Sequence, residues 1–171
     1  MVQIGNMHIG KAETAAPPTV SIIEAGLIWD MLAARYKCIE ETNYYFTHAH
    51  DPDFKTFVSR MGMELIKGQA EELEKQCQIF GIPMPDRPPK AVTKKEGSSY
   101  FNDEFMFRQI FEGCQHFLGR LANVISSITT NDALRKIFEK FFTDELYIFN
   151  NLCKYGKMKG WLKAPPVYKA D

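Results

Sequence analysis

Between Leu134 and Tyr155 the apolar residues recur at helical spacing: Leu134, Ile137, Phe138, Phe141, Ile148, Phe149, Leu152 and Tyr155. At 100° per residue they cover one broad face centred on Phe141. Two acids, Asp144 and Glu145, fall inside that face. A carboxylate in the buried stripe of a helix needs a cation or a place at the edge of the stripe. The rest of the chain is read as the wall around that spot.

Three further stretches carry the same periodicity. The first runs from about Val20 to Thr47, with Val20, Leu27, Ile28, Met31, Ala34, Cys38, Thr42 and Tyr45 in its stripe. Glu24 and Arg35 share that stripe, and Ser21 with Glu24 has the spacing of a capping box. The sequence HAHDPD at 48–53 breaks the pattern, and Pro52 suits the first position of a new helix. The second helix is predicted from Pro52 to Phe80, with Phe54, Val58, Met61, Leu65, Ile66, Leu73 and Phe80 inward, and a stop at Gly81. Gly62 and Gln69 lie on that same face.

Residues 81–100 hold four prolines and form a long crossover. The third helix starts after Ser99 or Asn102 and reaches about Ser127, with the stripe Phe107, Ile110, Phe111, Cys114, Phe117, Leu118, Leu121, Ile125 and Ile128. The fourth runs from about Asp132 to Tyr155 and closes at Gly156. The tail beyond it reads as a non-helical strap that docks through Trp161, Leu162, Val167 and Tyr168. Residues 1–18 read as a flexible lead-in, and 19–171 as one domain.

Four long amphipathic helices with mostly short links make an all-α, four-helix bundle. The crossover can join either kind of pair, and the simplest topology is up-down-up-down. In that arrangement Arg35 and the acids of the last helix come to one height. An ion pair between Arg35 and Glu145 or Asp144 is expected inside the bundle, with Gln69 and Cys114 at the same level. These five residues are the candidate ligand-binding cluster.

Lys and Arg total 21 and so do Asp and Glu, which gives no net charge and argues against a nucleic-acid-binding surface. The apolar runs are too short to span a membrane, and the N-terminus lacks a signal-peptide layout, so an intracellularly made protein is expected. Four widely spaced cysteines with no CxxC pair exclude zinc-ribbon spacing and read as free thiols. A bundle that holds two metal ions uses Glu-x-x-His pairs. Here Glu145 is followed at the third position by Ile148, and Glu112 and His116 are four apart on the outer face. His48, His50, Asp51 and Asp53 sit in one turn that could grip a surface metal. No Gly-rich phosphate loop or nucleophile elbow occurs, and no cofactor is expected. Trp29 and Tyr36 on the outer side of the first helix, with Met63 on the second, are the candidate interface.

The segment GIPMP at Gly81–Pro85, after the second helix, and KGWLKAPP at Lys159–Pro166, after the fourth, carry a resemblance. With LRKIFEKFF between them, the layout is similar to a ferritin-like domain-of-unknown-function family of spore-forming bacteria, related to spore coat protein F-like proteins. The likeness runs from about Thr19 to the end. It implies a ferritin-like bundle and a structural or assembly role in the spore coat, with copies of the chain or other coat proteins as partners. The alternative is a ferritin-like bundle that binds a metal or small ligand at the central polar cluster. A third is a stress-related enzyme of that superfamily.

Overall fold

The computed structural model describes residues 19–89, 102–163 and 165–166, and the backbone of two strand segments in the lead-in. Those segments, β1 (Val2–Ile4) and β2 (Met7–Ile9), pair antiparallel with Ile4 opposite Met7. The Gly5–Asn6 dipeptide between them is a hairpin signal that helical periodicity does not register. Of the docking residues named for the tail, Val167 and Tyr168 lie outside the described residues, as does Ser99.

Helix α1 (Ile22–His48) starts at the expected capping box. The Ser21 hydroxyl accepts from the Glu24 N–H at 3.1 Å, and the Glu24 carboxylate accepts from the Ser21 N–H at 2.9 Å. Glu24 also accepts from the Thr130 hydroxyl at 3.3 Å, which explains a buried acid in an apolar stripe. Asp51 caps α2 (Pro52–Phe57), which passes through a π turn (Val58–Met63) into α3 (Glu64–Phe80). Gly81 ends α3 in the left-handed region at φ 66°, where a side chain would be strained. Asn102 caps α4 (Asp103–Ser127), and Asn131 caps α5 (Asp132–Lys159).

The last helix is longer than its sequence suggests. It passes through Gly156 and stops at Gly160, where φ is 72°. Gly156 is a packing glycine: a Cβ there would collide with Cζ of Phe107 and sit 3.2 Å from Cβ of Leu162.

The topology differs from the up-down-up-down expectation. Asp30 of α1 pairs with Arg120 near the end of α4, while the backbone N–H groups of His50 and Asp51 donate to Asp103 at the start of α4. Thus α1 and α4 are antiparallel neighbours. Thr130, just before α5, meets the start of α1, and Lys159 at the end of α5 meets Asp51 beyond the end of α1. Thus α1 and α5 run parallel. Phe54 packs against Tyr155, so α2–α3 runs against α5. The order is up-down-down-up. A crossover of about 20 residues can travel the length of a helix and need not turn straight back, and here it joins parallel helices at opposite ends.

The core has two parts. One gathers Ile28, Met31, Leu73, Leu121 and Phe138 toward the start of α1. The other gathers Phe54, Met106, Phe107, Leu152 and Tyr155 at the opposite end, where Trp161 of the tail docks edge-on against Phe54 at 5.8 Å. The Arg35–Glu145 level lies between them.

Candidate functional site

Arg35 sits about half-way along α1 and Glu145 about half-way along α5. Because the two helices are parallel, their midpoints share one height. Nη2 of Arg35 donates to Oε2 of Glu145 at 2.8 Å, with Arg35 2% and Glu145 5% exposed. The expected ion pair therefore forms, although across the core rather than between neighbouring helices. Cζ of Arg35 lies 3.6 Å over the ring of Phe117, which supports the face of the cation. An unmatched charge at this depth would cost several kcal/mol, so each partner depends on the other. The guanidinium is not fully satisfied: its Nε–H has no partner.

Cys114 joins the cluster through its thiol, which lies 3.8 Å from the backbone carbonyl of Glu145. Burial pushes the Cys114 thiol far up from its ordinary range, and the Glu145 charge adds to this. Burial also pushes up the Cys38 thiol, against the opposing pull of Arg35. Both sulfurs stay neutral and act as small apolar walls.

The other candidates fall elsewhere. Asp144 turns outward and accepts from Lys140 at 2.6 Å, because one residue step on a helix rotates a side chain by 100°. Gln69 is buried, but it lines an open groove between α3 and α5 with Ile137 and Phe141. Its amide nitrogen and oxygen both lack partners there. Of the candidate interface residues, Trp29 is 43% exposed, whereas Tyr36 and Met63 are buried. Tyr36 packs toward α3, and its hydroxyl donates to Glu74 at 2.6 Å. Glu74 also takes Arg87, which fastens the first residues of the crossover. Met63 turns inward because the π turn rotates the chain beyond the 3.6-residue pattern.

Beside the ion pair is a cavity of about 120 Å³. Cys38, Thr42 and Tyr45 of α1 form one wall, and Val58 and Gly62 of the π turn a second. Ile110, Cys114 and Phe117 of α4 form a third, with Arg35 and Glu145 beside them. Glu41 and Gln109 also line it. π turns recur where a helix is reshaped around a site. The donor set does not fit a divalent cation: of the described lining residues only Glu41 and Glu145 bring carboxylates, and Arg35 already holds Glu145.

The turn after α1 has structural work. His48 is buried and stacked on Tyr44, with Nδ1 2.8 Å from the Tyr44 carbonyl oxygen. Asp51 accepts from the Asp53 and Phe54 N–H groups and from Lys159 Nζ at 2.6 Å. Among the described residues no three His, Cys, Asp or Glu side chains converge on a metal-sized gap. Among them, too, no helix is long and apolar enough to cross a membrane. The Lys159–Asp51 contact and the role of Phe117 have no local motif, and only the folded arrangement reveals them.

The same architecture occurs in a solved structure from Bacillus halodurans C-125 described as a "putative spore coat protein". The two superpose with a TM-score of 0.83 over 90% of this chain and 100% of that one, at 19% identity, which shows a shared fold. No curated protein sequence matches. A family model described as "Protein of unknown function (DUF3231)" matches residues 15–171, and the chain belongs to that family.

Proposed function

We infer that the protein is a structural or assembly component of the spore coat, with no catalytic cycle of its own and with copies of itself or other coat proteins as partners. The observation that carries this reading is the fold shared over 90% of the chain with the Bacillus halodurans protein. The surface agrees with it. Ile22 and Ile23 at the start of α1, Ile79 at the end of α3 and Met84 just beyond are exposed, Ile22 at 90%. Antiparallel packing puts all four at one end of the bundle, and Trp29 lies two turns along α1 from it. Exposed large apolar groups gathered in one region mark a contact surface.

The test is to express the full chain as a fluorescent fusion in sporulating cells of its host. A shell of fluorescence around the forespore, retained on released spores and extracted only with the coat fraction, is the expected result. Even fluorescence through the mother cell and its loss on lysis would contradict the reading.

A further inference from the structure

The cavity beside the Arg35–Glu145 pair has the attributes of a ligand site, and this is independent of the coat role. Its size, about 120 Å³, approaches the roughly 150 Å³ of cavities that hold a benzene ring. Most of its wall is apolar or aromatic: Tyr45, Val58, Ile110, Phe117 and Ile148, with the neutral thiol of Cys114. One polar atom remains unanswered. The Nε–H of Arg35, on a side chain 2% exposed, is buried without a partner, while Nη2 is committed to Glu145. A buried donor left open costs on the order of 1–3 kcal/mol.

Charge narrows the ligand further. The guanidinium is neutralised by Glu145, and the exposed carboxylate of Glu41 at the rim pairs with Lys37, so an anion or cation deep in the cavity would be an unmatched buried charge. We propose that this cavity binds a compact neutral molecule of about benzene's size, carrying one acceptor oxygen that meets the Nε–H of Arg35. A simple phenol has this form. The π turn matters to the site because Gly62, on that turn, leaves open space: a Cβ there would meet only Cγ2 of Thr42, at 3.8 Å.

The test uses the full-length protein with phenol, toluene and benzoate as probes, read by calorimetry and by the ligand-dependent rise in melting temperature. Phenol should bind saturably and about tenfold more tightly than toluene, the worth of one hydrogen bond to a buried donor. Benzoate should bind least. Gly62→Leu, which fills the space, should abolish binding of both neutral probes. The double variant Arg35→Met/Glu145→Leu, with an apolar pair in place of the ionic one, should bind toluene as well as phenol. No saturable phenol binding by the native protein would overturn the proposal whatever the variants do. So would benzoate binding above phenol, or a phenol preference that survives in the double variant.

Discussion

Arg35 and Glu145 meet at 2.8 Å across the bundle core, and they join the first and last long helices, which share no connecting loop. The pair lies between the two halves of the core, so it sets the height of α5 against α1. A slip of one helical turn in either helix would leave two charges buried and unpaired.

That relationship predicts strongly non-additive mutations. Arg35→Met alone or Glu145→Leu alone should lose about 3–5 kcal/mol, because each leaves a buried charge behind. The double variant should stay within about 2 kcal/mol of the native protein, because an apolar pair of similar volume needs no counter-charge. Urea unfolding of the four proteins measures the coupling directly. Additive losses would show that the pair is not desolvated in solution.

Glycines on the same bundle should respond oppositely to alanine. Gly156→Ala pushes a methyl group against the Phe107 ring and the Leu162 Cβ, and overpacking of this kind costs about 1–3 kcal/mol. Gly68 is exposed in α3, and a Cβ added there would meet nothing within 4 Å. Gly68→Ala should therefore stabilise by about 0.5–1 kcal/mol through helix propensity. Thermal melts of the two variants check both signs.

At high pH, Tyr36, Tyr45 and Tyr155 should resist ionisation. Burial pushes the Tyr36 hydroxyl up to about 12, and its hydrogen bond to Glu74 adds to this. Burial likewise pushes Tyr155 up to about 12, with the charge of Asp51 contributing. Both are raised above the ordinary value of about 10. Their contribution to stability is complete below about pH 10 and is lost as pH rises toward about 12. Burial pushes the Tyr45 hydroxyl up as well, so tyrosinate absorbance should show at least three late-titrating groups among the seven tyrosines, and Tyr36→Phe should remove one of them. Seven groups titrating together would contradict this placement.

Acid should loosen the Asp51 end first. Asp51 sits below its ordinary pKa, mainly through the hydrogen bond from Lys159 and then through the Phe54 N–H. A lowered carboxylate pKa contributes stability that is present above the ordinary value, about 4, and is lost as pH falls through the folded value. Melting temperature should therefore fall below about pH 4, and Asp51→Asn should flatten that fall. Asp51→Ala, which also removes the α2 cap, should cost about 0.5–2 kcal/mol at neutral pH. An unchanged acid limb in Asp51→Asn would show that Lys159 does not hold this carboxylate.

Helix positions are legible in the sequence because capping groups and apolar periodicity are local. Ser21, Asp51, Asn102 and Asn131 begin the helices they are suited to begin. Helix direction is not local, since prolines in a crossover do not say which end of the bundle it reaches. A single apolar stripe understates the burial of α1. That helix packs against both α3 and α4, so Leu32 and Tyr36 are buried beyond the stripe. On the second long segment, the inward residues step from Val58 to Met63 rather than to Met61, the spacing of a π turn. Gly156 looks like a stop because sequence alone does not separate a glycine in the left-handed region from one under an aromatic ring. The Arg35–Glu145 pair is legible because a charge in each of two apolar stripes leaves few ways to satisfy both.

If copies of the chain are its partners, the exposed apolar end with Ile22, Ile23 and Ile79 is where they should meet. Sedimentation velocity of the full chain over a wide concentration range, beside the variant Ile22→Ser/Ile23→Ser/Ile79→Ser, puts this to the test. The native chain should associate as its concentration rises, and the variant should remain a helical monomer. A native chain that stays monomeric at every concentration would contradict self-association through this end of the bundle.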